Sequence, residues 1–88
     1  MKPIIVYTTN YCGYCVAAKR LLDKLGLPYS EQDVSNDPAE RQRLVERSGQ
    51  RTVPQIFIGD HSVGGYQELS ELARRGTLQA LVEGSEDD

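Results

Sequence analysis

Ile4-Ile5-Val6-Tyr7-Thr8-Thr9-Asn10-Tyr11-Cys12-Gly13-Tyr14-Cys15-Val16-Ala17 passes from a β-favouring run into a helical pattern, with two cysteines at the changeover. Ile4 to Tyr7 is an unbroken run of β-branched, aliphatic and aromatic residues, the pattern of a strand covered on both faces. Thr8-Thr9-Asn10 then supplies residues that favour turns and caps. From Gly13, Val16, Ala17, Leu21, Leu22 and Leu25 recur at helical spacing and predict an apolar stripe, with Lys19, Arg20, Asp23 and Lys24 facing out. Gly26 suits the residue just past the helix end, and Pro28 prevents continuation.

Working outward, a short extended segment is predicted over 28–34. Asp37-Pro38-Ala39-Glu40 reads as a helix start, with Asp37 as cap, Pro38 in the first position and Glu40 completing a capping box. Leu44 and Val45 mark the apolar side of that helix, and Gly49 ends it. Gln55-Ile56-Phe57-Ile58 is a second clear strand; Gly59-Asp60-His61 turns it into Ser62-Val63, and Gly64-Gly65 ends the hairpin. A third helix is predicted over 67–75, stopped by Gly76, and Thr77 caps a last short helix with Leu78, Leu81 and Val82. The order is β-α-β-α-β-β-α plus a small helix. Strands separated by helices imply parallel crossovers, and the hairpin implies one antiparallel pair. The predicted fold class is α/β, a mixed four-stranded sheet packed between helices.

Eighty-eight residues make one small domain. Four of the acidic groups, Glu83, Glu86, Asp87 and Asp88, crowd the end of a chain whose net charge is −3. Without them ten basic groups face nine acidic ones, so residues 1–82 read as a nearly neutral domain and 83–88 as a short acidic tail. No basic face suits a nucleic acid, no apolar run suits a membrane span, and the start is too short for a secretion signal. The predicted location is cytoplasmic. Two cysteines three positions apart cannot staple a fold. With only His61 and Met1 as further nitrogen or sulfur candidates, they offer at most half a zinc site.

A lone C-x-x-C in a reducing compartment points instead to thiol chemistry. Cys12 falls where a strand hands over to a helix, and unpaired helix-end N–H groups there favour a thiolate over a thiol. Cys12 is the predicted nucleophile. Cys15, one turn further in, is the predicted resolving thiol. The competing reading is two buried, inert cysteines.

Tyr11-Cys12-Gly13-Tyr14-Cys15 resembles the active site of the dithiol glutaredoxins, whose usual form is Cys-Pro-Tyr-Cys. Thr52-Val53-Pro54 is similar to their Thr-Val-Pro segment, and Gly64-Gly65 to the glycine pair before their third helix. The three motifs stand in register over residues 3–82. The resemblance implies a thioredoxin-like fold and a glutathione-dependent thiol–disulfide oxidoreductase acting on glutathionyl mixed disulfides and protein disulfides. It also implies a cis Pro54 beside Cys12 and a glutathione site made by Tyr14, Arg51, Thr52, Val53, Pro54, Gly65, Tyr66 and Gln67. Backbone N–H groups of Tyr66 and Gln67 would hold the γ-glutamyl carboxylate. Tyr7, Tyr29 and Phe57 are assigned to the core, and His61 to an exposed turn.

Three departures stand out. Gln67 replaces an acidic residue that would hold the γ-glutamyl ammonium. Thr8 or Thr9 replaces a lysine, with Arg51 or Arg41 as candidates to hold the glycyl carboxylate instead. Gly13 replaces proline; relatives lacking that proline can share a [2Fe–2S] cluster between two protomers, ligated by each first cysteine and a glutathione thiol. Tyr11 is not bulky enough to exclude one. The resemblance therefore implies an apo monomer as the enzyme and allows a cluster-bridged dimer with Cys12 as ligand.

Overall fold

A computed structural model describes residues 2–10 and 12–84. The elements are β1 (Ile4–Thr8), α1 (Gly13–Lys24), β2 (Ser30–Asp33), α2 (Pro38–Ser48), β3 (Gln55–Ile58), β4 (His61–Gly64), α3 (Tyr66–Arg75) and α4 (Leu78–Glu83). They form the expected thioredoxin-like α/β fold around one mixed sheet of order β2-β1-β3-β4. No helix among the described residues is long and apolar enough to cross a membrane.

Strand alternation divides the core in two. Ile4, Val6, Ile56 and Ile58 face α1, α3 and α4, where Ala18, Leu22, Leu69, Leu78 and Val82 meet them. Tyr7 and Phe57 point the other way and pack with Val34 and Leu44 of the α2 side. The Tyr7 and Phe57 rings meet edge to face at 5.8 Å. Tyr29 is half-buried against the first cluster and His61 is exposed, both as expected.

Strand polarity corrects one expectation. β1 and β2 are parallel, with Thr8 opposite Asp33, but β3 runs antiparallel to β1 as well as to β4. The register gives the reason. β2 ends at Asp33 beside Thr8, and β3 begins at Gln55 beside Tyr7, at the same end of the sheet. The α2 connection returns to the end it left, so β3 must run back. A helix between two strands dictates a parallel pair only when the connection crosses the full length of the sheet.

The face of α1 is the second correction. Cys15, Ala18 and Leu22 are its buried residues, whereas Val16 and Leu25 are 43% and 42% exposed. Spacing alone left the stripe free to rotate about the helix axis; the handover from β1 sets the angle and turns Cys15 inward. The α1 end follows expectation: Gly26 has φ +72°, its N–H donates to Asp23 O, and Leu27 N–H donates to Leu22 O.

Caps differ in detail. Asp37 accepts the Glu40 N–H at 3.1 Å, but Glu40 does not reach back; its carboxylate holds Arg43 instead, so half of the capping box forms. Thr77 stands at the N-cap of α4 without capping through its side chain. α4 runs through Glu83, and Gly84 closes it. The remainder of the predicted acidic tail, with Met1 and Tyr11, lies outside the described residues.

Candidate functional site

The end of the sheet where β1 stops and β3 starts also receives the first turns of α1 and α3. Cys12 is the N-cap of α1, with extended φ −111° and ψ 106°. Its Sγ accepts the backbone N–H of Cys15 at 3.1 Å. A sulfur thus fills the role of the oxygen in an ordinary N-cap, on a helix whose first turn carries no acidic residue. Cys15, 2% exposed, lies beneath it, and the two form a disulfide with Cα atoms 5.2 Å apart.

Thr52, Val53 and Pro54 run past this sulfur. The Val53–Pro54 bond is cis, and the Val53 carbonyl oxygen lies 3.8 Å from Cys12 Sγ. Pro54 is buried, whereas Thr52 is exposed. On the far side of the loop α3 begins at Tyr66, with Gly65 as its N-cap. The ideal Cβ of Gly65 would lie 3.5 Å from the Pro54 carbonyl oxygen, an ordinary van der Waals contact, so the start of α3 sits directly against this segment.

These segments enclose an open groove of about 440 Å³ lined by Tyr14, Gln50, Thr52, Val53, Pro54, Gly65, Tyr66, Gln67 and Glu68. Seven residues singled out from the sequence converge here. Tyr14, 64% exposed, stacks its ring on that of Tyr66 with centroids 6.1 Å apart and planes 26° from parallel. Backbone N–H groups of Tyr66 and Gln67 occupy the first two helical positions, where no intrahelical acceptor exists.

Arg51 does not line this groove. With Arg41 and Gln42 it lines an adjoining pocket of about 250 Å³, reached past Val53, and both arginines are exposed. Gln55 closes that pocket. Its amide NH₂ donates to Gln50 O at 2.9 Å, while its buried Oε1 has no partner among the described protein atoms.

Two groove residues escaped the sequence reading. Gln50 lies outside the Thr-Val-Pro match and has no period to betray it. Glu68 accepts the Gly65 N–H at 2.8 Å, bringing a carboxylate to the wall where Gln67 is neutral. An acidic residue three positions after a helix N-cap was a signal that could have found it.

Chemically, the arrangement joins two sulfurs in a disulfide at a helix N-terminus, the outer one half-buried and the inner one buried, with an open groove beginning at the neighbouring Val53 and Tyr14. The family model described as Glutaredoxin matches residues 4–63. A glutaredoxin of Pseudomonas aeruginosa is 43% identical over 82 residues, covering 93% of this chain and 98% of that protein. The solution structure of a Brucella melitensis glutaredoxin superposes with TM-score 0.86 at 42% identity, over 98% of this chain and 94% of that one. A buckwheat glutaredoxin–glutathione complex gives TM-score 0.86 at 35% identity, over 93% and 77%. Motifs, fold and relatives agree, and the chain belongs to the glutaredoxin family of thiol–disulfide oxidoreductases.

Proposed function

We propose that this oxidoreductase is glutathione-dependent and reduces glutathionyl mixed disulfides and protein disulfides through Cys12. The observation that carries this reading is the groove of about 440 Å³ that draws Tyr14, Thr52–Pro54 and the start of α3 into one surface, with the Val53 carbonyl oxygen 3.8 Å from Cys12 Sγ. Glutathione would lie along the Val53 backbone, with its γ-glutamyl carboxylate on the Tyr66 and Gln67 N–H groups. Glu68 supplies the negative partner for the ammonium that Gln67 lacks, and Arg51 and Arg41 flank the glycyl end. A similar fold holding glutathione in the buckwheat complex supports this assignment.

The Cys12 thiolate attacks the glutathionyl sulfur of a mixed disulfide, and the substrate leaves as a thiolate that takes a proton from solvent. A glutathione thiolate then attacks the glutathionyl sulfur on Cys12, giving glutathione disulfide and free Cys12. Alternatively Cys15, losing its proton, attacks Cys12 Sγ; glutathione leaves, and the Cys12–Cys15 disulfide results. Such cycling requires the reducing thiol pool of the cytoplasm, with an apo monomer as the working form. Turnover of a mixed disulfide is expected with glutathione and glutathione reductase. Turnover only with thioredoxin reductase would overturn the assignment.

A second reading rests on Gly13, which is exposed and whose ideal Cβ would meet nothing within 4 Å. We propose that this open first turn lets two protomers approach through Cys12 and share a [2Fe–2S] cluster. Cys15 is too buried to be a ligand, and no group of three or more His, Cys, Asp or Glu among the described residues could hold a metal. One chain therefore offers one thiolate. Two protomers with two glutathione thiols complete the four ligands such a cluster takes. Anaerobic reconstitution with iron, sulfide and glutathione is expected to yield a coloured dimer, diminished in Gly13→Pro; a colourless monomer refutes the reading.

A further inference from the structure

Cys12 itself lines a different cleft, of about 430 Å³, which shares no lining residue with the groove. It contains Cys15, Val16 and Lys19 of α1, Asn10 of the preceding loop, and Glu31 and Asp33 of β2. We propose that this cleft docks the polypeptide side of a protein disulfide substrate as an extended segment carrying lysine or arginine beside its reactive cysteine. The inference rests on thiol exchange at Cys12 and not on the use of glutathione.

β2 is an edge strand of exposed residues, and among the described residues no other strand pairs with its outer side. Such an edge is a template for an added extended chain. Glu31 and Asp33, two apart, face the same side of β2. Glu31 Oε2 accepts Lys19 Nζ and Thr8 Oγ1, each at 3.0 Å, so the Lys19 charge is cancelled within the cleft. Asp33 Oδ1 accepts the Ser35 N–H at 2.8 Å, and these hydrogen bonds from Ser35 hold its carboxyl below the usual range. The cleft therefore carries an uncompensated negative charge at neutral pH. That charge repels a second copy of the same edge and complements a cationic strand. Val16, 43% exposed, adds apolar surface one turn from Cys12. The cleft reaches the sulfurs themselves, so a segment docked there brings its own sulfur to Cys12.

The test mixes reduced protein, in single turnover and without glutathione, with two short peptides. They differ only in having lysine or glutamate on both sides of one cysteine, which is held as a mixed disulfide with 2-mercaptoethanol. The lysine peptide is expected to react about 5- to 10-fold faster at low ionic strength, with the ratio approaching one near ~0.5 M salt. In the double variant Glu31→Gln, Asp33→Asn, Lys19 is left without its counter-charge and the preference is expected to reverse. Bis(2-hydroxyethyl) disulfide, uncharged and lacking a peptide chain, reads the intrinsic reactivity of Cys12 in each protein, which freeing Lys19 is expected to raise, and each peptide rate is taken relative to it. Equal peptide rates in the wild type, an unchanged preference in the double variant, or loss of the small-disulfide reaction there would each overturn the proposal. Because glutathione is absent, failure of the glutathione assignment would leave these results readable.

Discussion

Cys12 owes its chemistry to one backbone position. As N-cap it receives the Cys15 N–H, and the free amides of the first α1 turn add the positive end of the helix. Alkylation by iodoacetamide against pH is expected to show a midpoint at least about one unit below the free-thiol value of ~8.5. The shift should be smaller than in relatives with a nearby lysine. Thr8 is buried here, and the one lysine in the adjacent cleft is held by Glu31. A midpoint at or above the free value would contradict the helix-end account. Cys12→Ser is expected to reduce mixed-disulfide turnover to background, while Cys15→Ser stays within about tenfold of wild type, a barrier change of ~1.4 kcal/mol. Steady-state assays of both variants decide it, since equal loss in the two would exclude the route through a free glutathione.

At the scale of elements, the site depends on how β4 hands over to α3. The β4 register slips by one residue between Phe57 and Ile56, and Gly64 takes φ +113° at that irregularity. An ideal Cβ there would sit 3.1 Å from Glu68 Cγ, displacing the side chain that accepts the Gly65 N–H. Gly64→Ala is therefore expected to cost about 1–3 kcal/mol and to weaken turnover with glutathione. Gly49, at φ +75° past the end of α2, has nothing within 4 Å of its ideal Cβ. Gly49→Ala should destabilise through the backbone alone and leave turnover intact. Thermal melts and kinetics of the pair test this; equal kinetic loss would argue against a specific role for the Gly64 turn.

Over the whole molecule, two modest cores flank a four-stranded sheet. A domain of 88 residues has a total stability of roughly 4–13 kcal/mol. Leu69 is fully buried in the larger cluster and anchors the helix whose first turn forms one wall of the groove. Leu69→Ala is expected to cost about 2–5 kcal/mol, a large part of that total. Leu44→Ala, on the opposite face, should cost a similar amount while leaving α3 seated. Denaturant midpoints measure the cost, and glutathione turnover under native conditions separates the two. A change below about 1 kcal/mol for Leu69 would mean that the surroundings collapse into the space.

Local chemistry was legible in the amino-acid order. The β-rich run before Cys12, the Asp37-Pro38 helix start, the glycines at helix ends and the two cysteines at a strand-to-helix boundary each act on near neighbours. Their consequences follow without knowledge of the rest of the chain. The sheet order, the reversal of β3 and the rotation of α1 were not legible, because they depend on where distant segments end. The groove shows the same division. Tyr14, Thr52–Pro54 and Gly65–Gln67 could be named from motifs, but the displacement of Arg51 into a neighbouring pocket and the stacking of Tyr14 on Tyr66 required the packed chain. Only tertiary structure could decide them, since each is a contact whose partners are chosen by the closure of the sheet and not by their spacing in sequence.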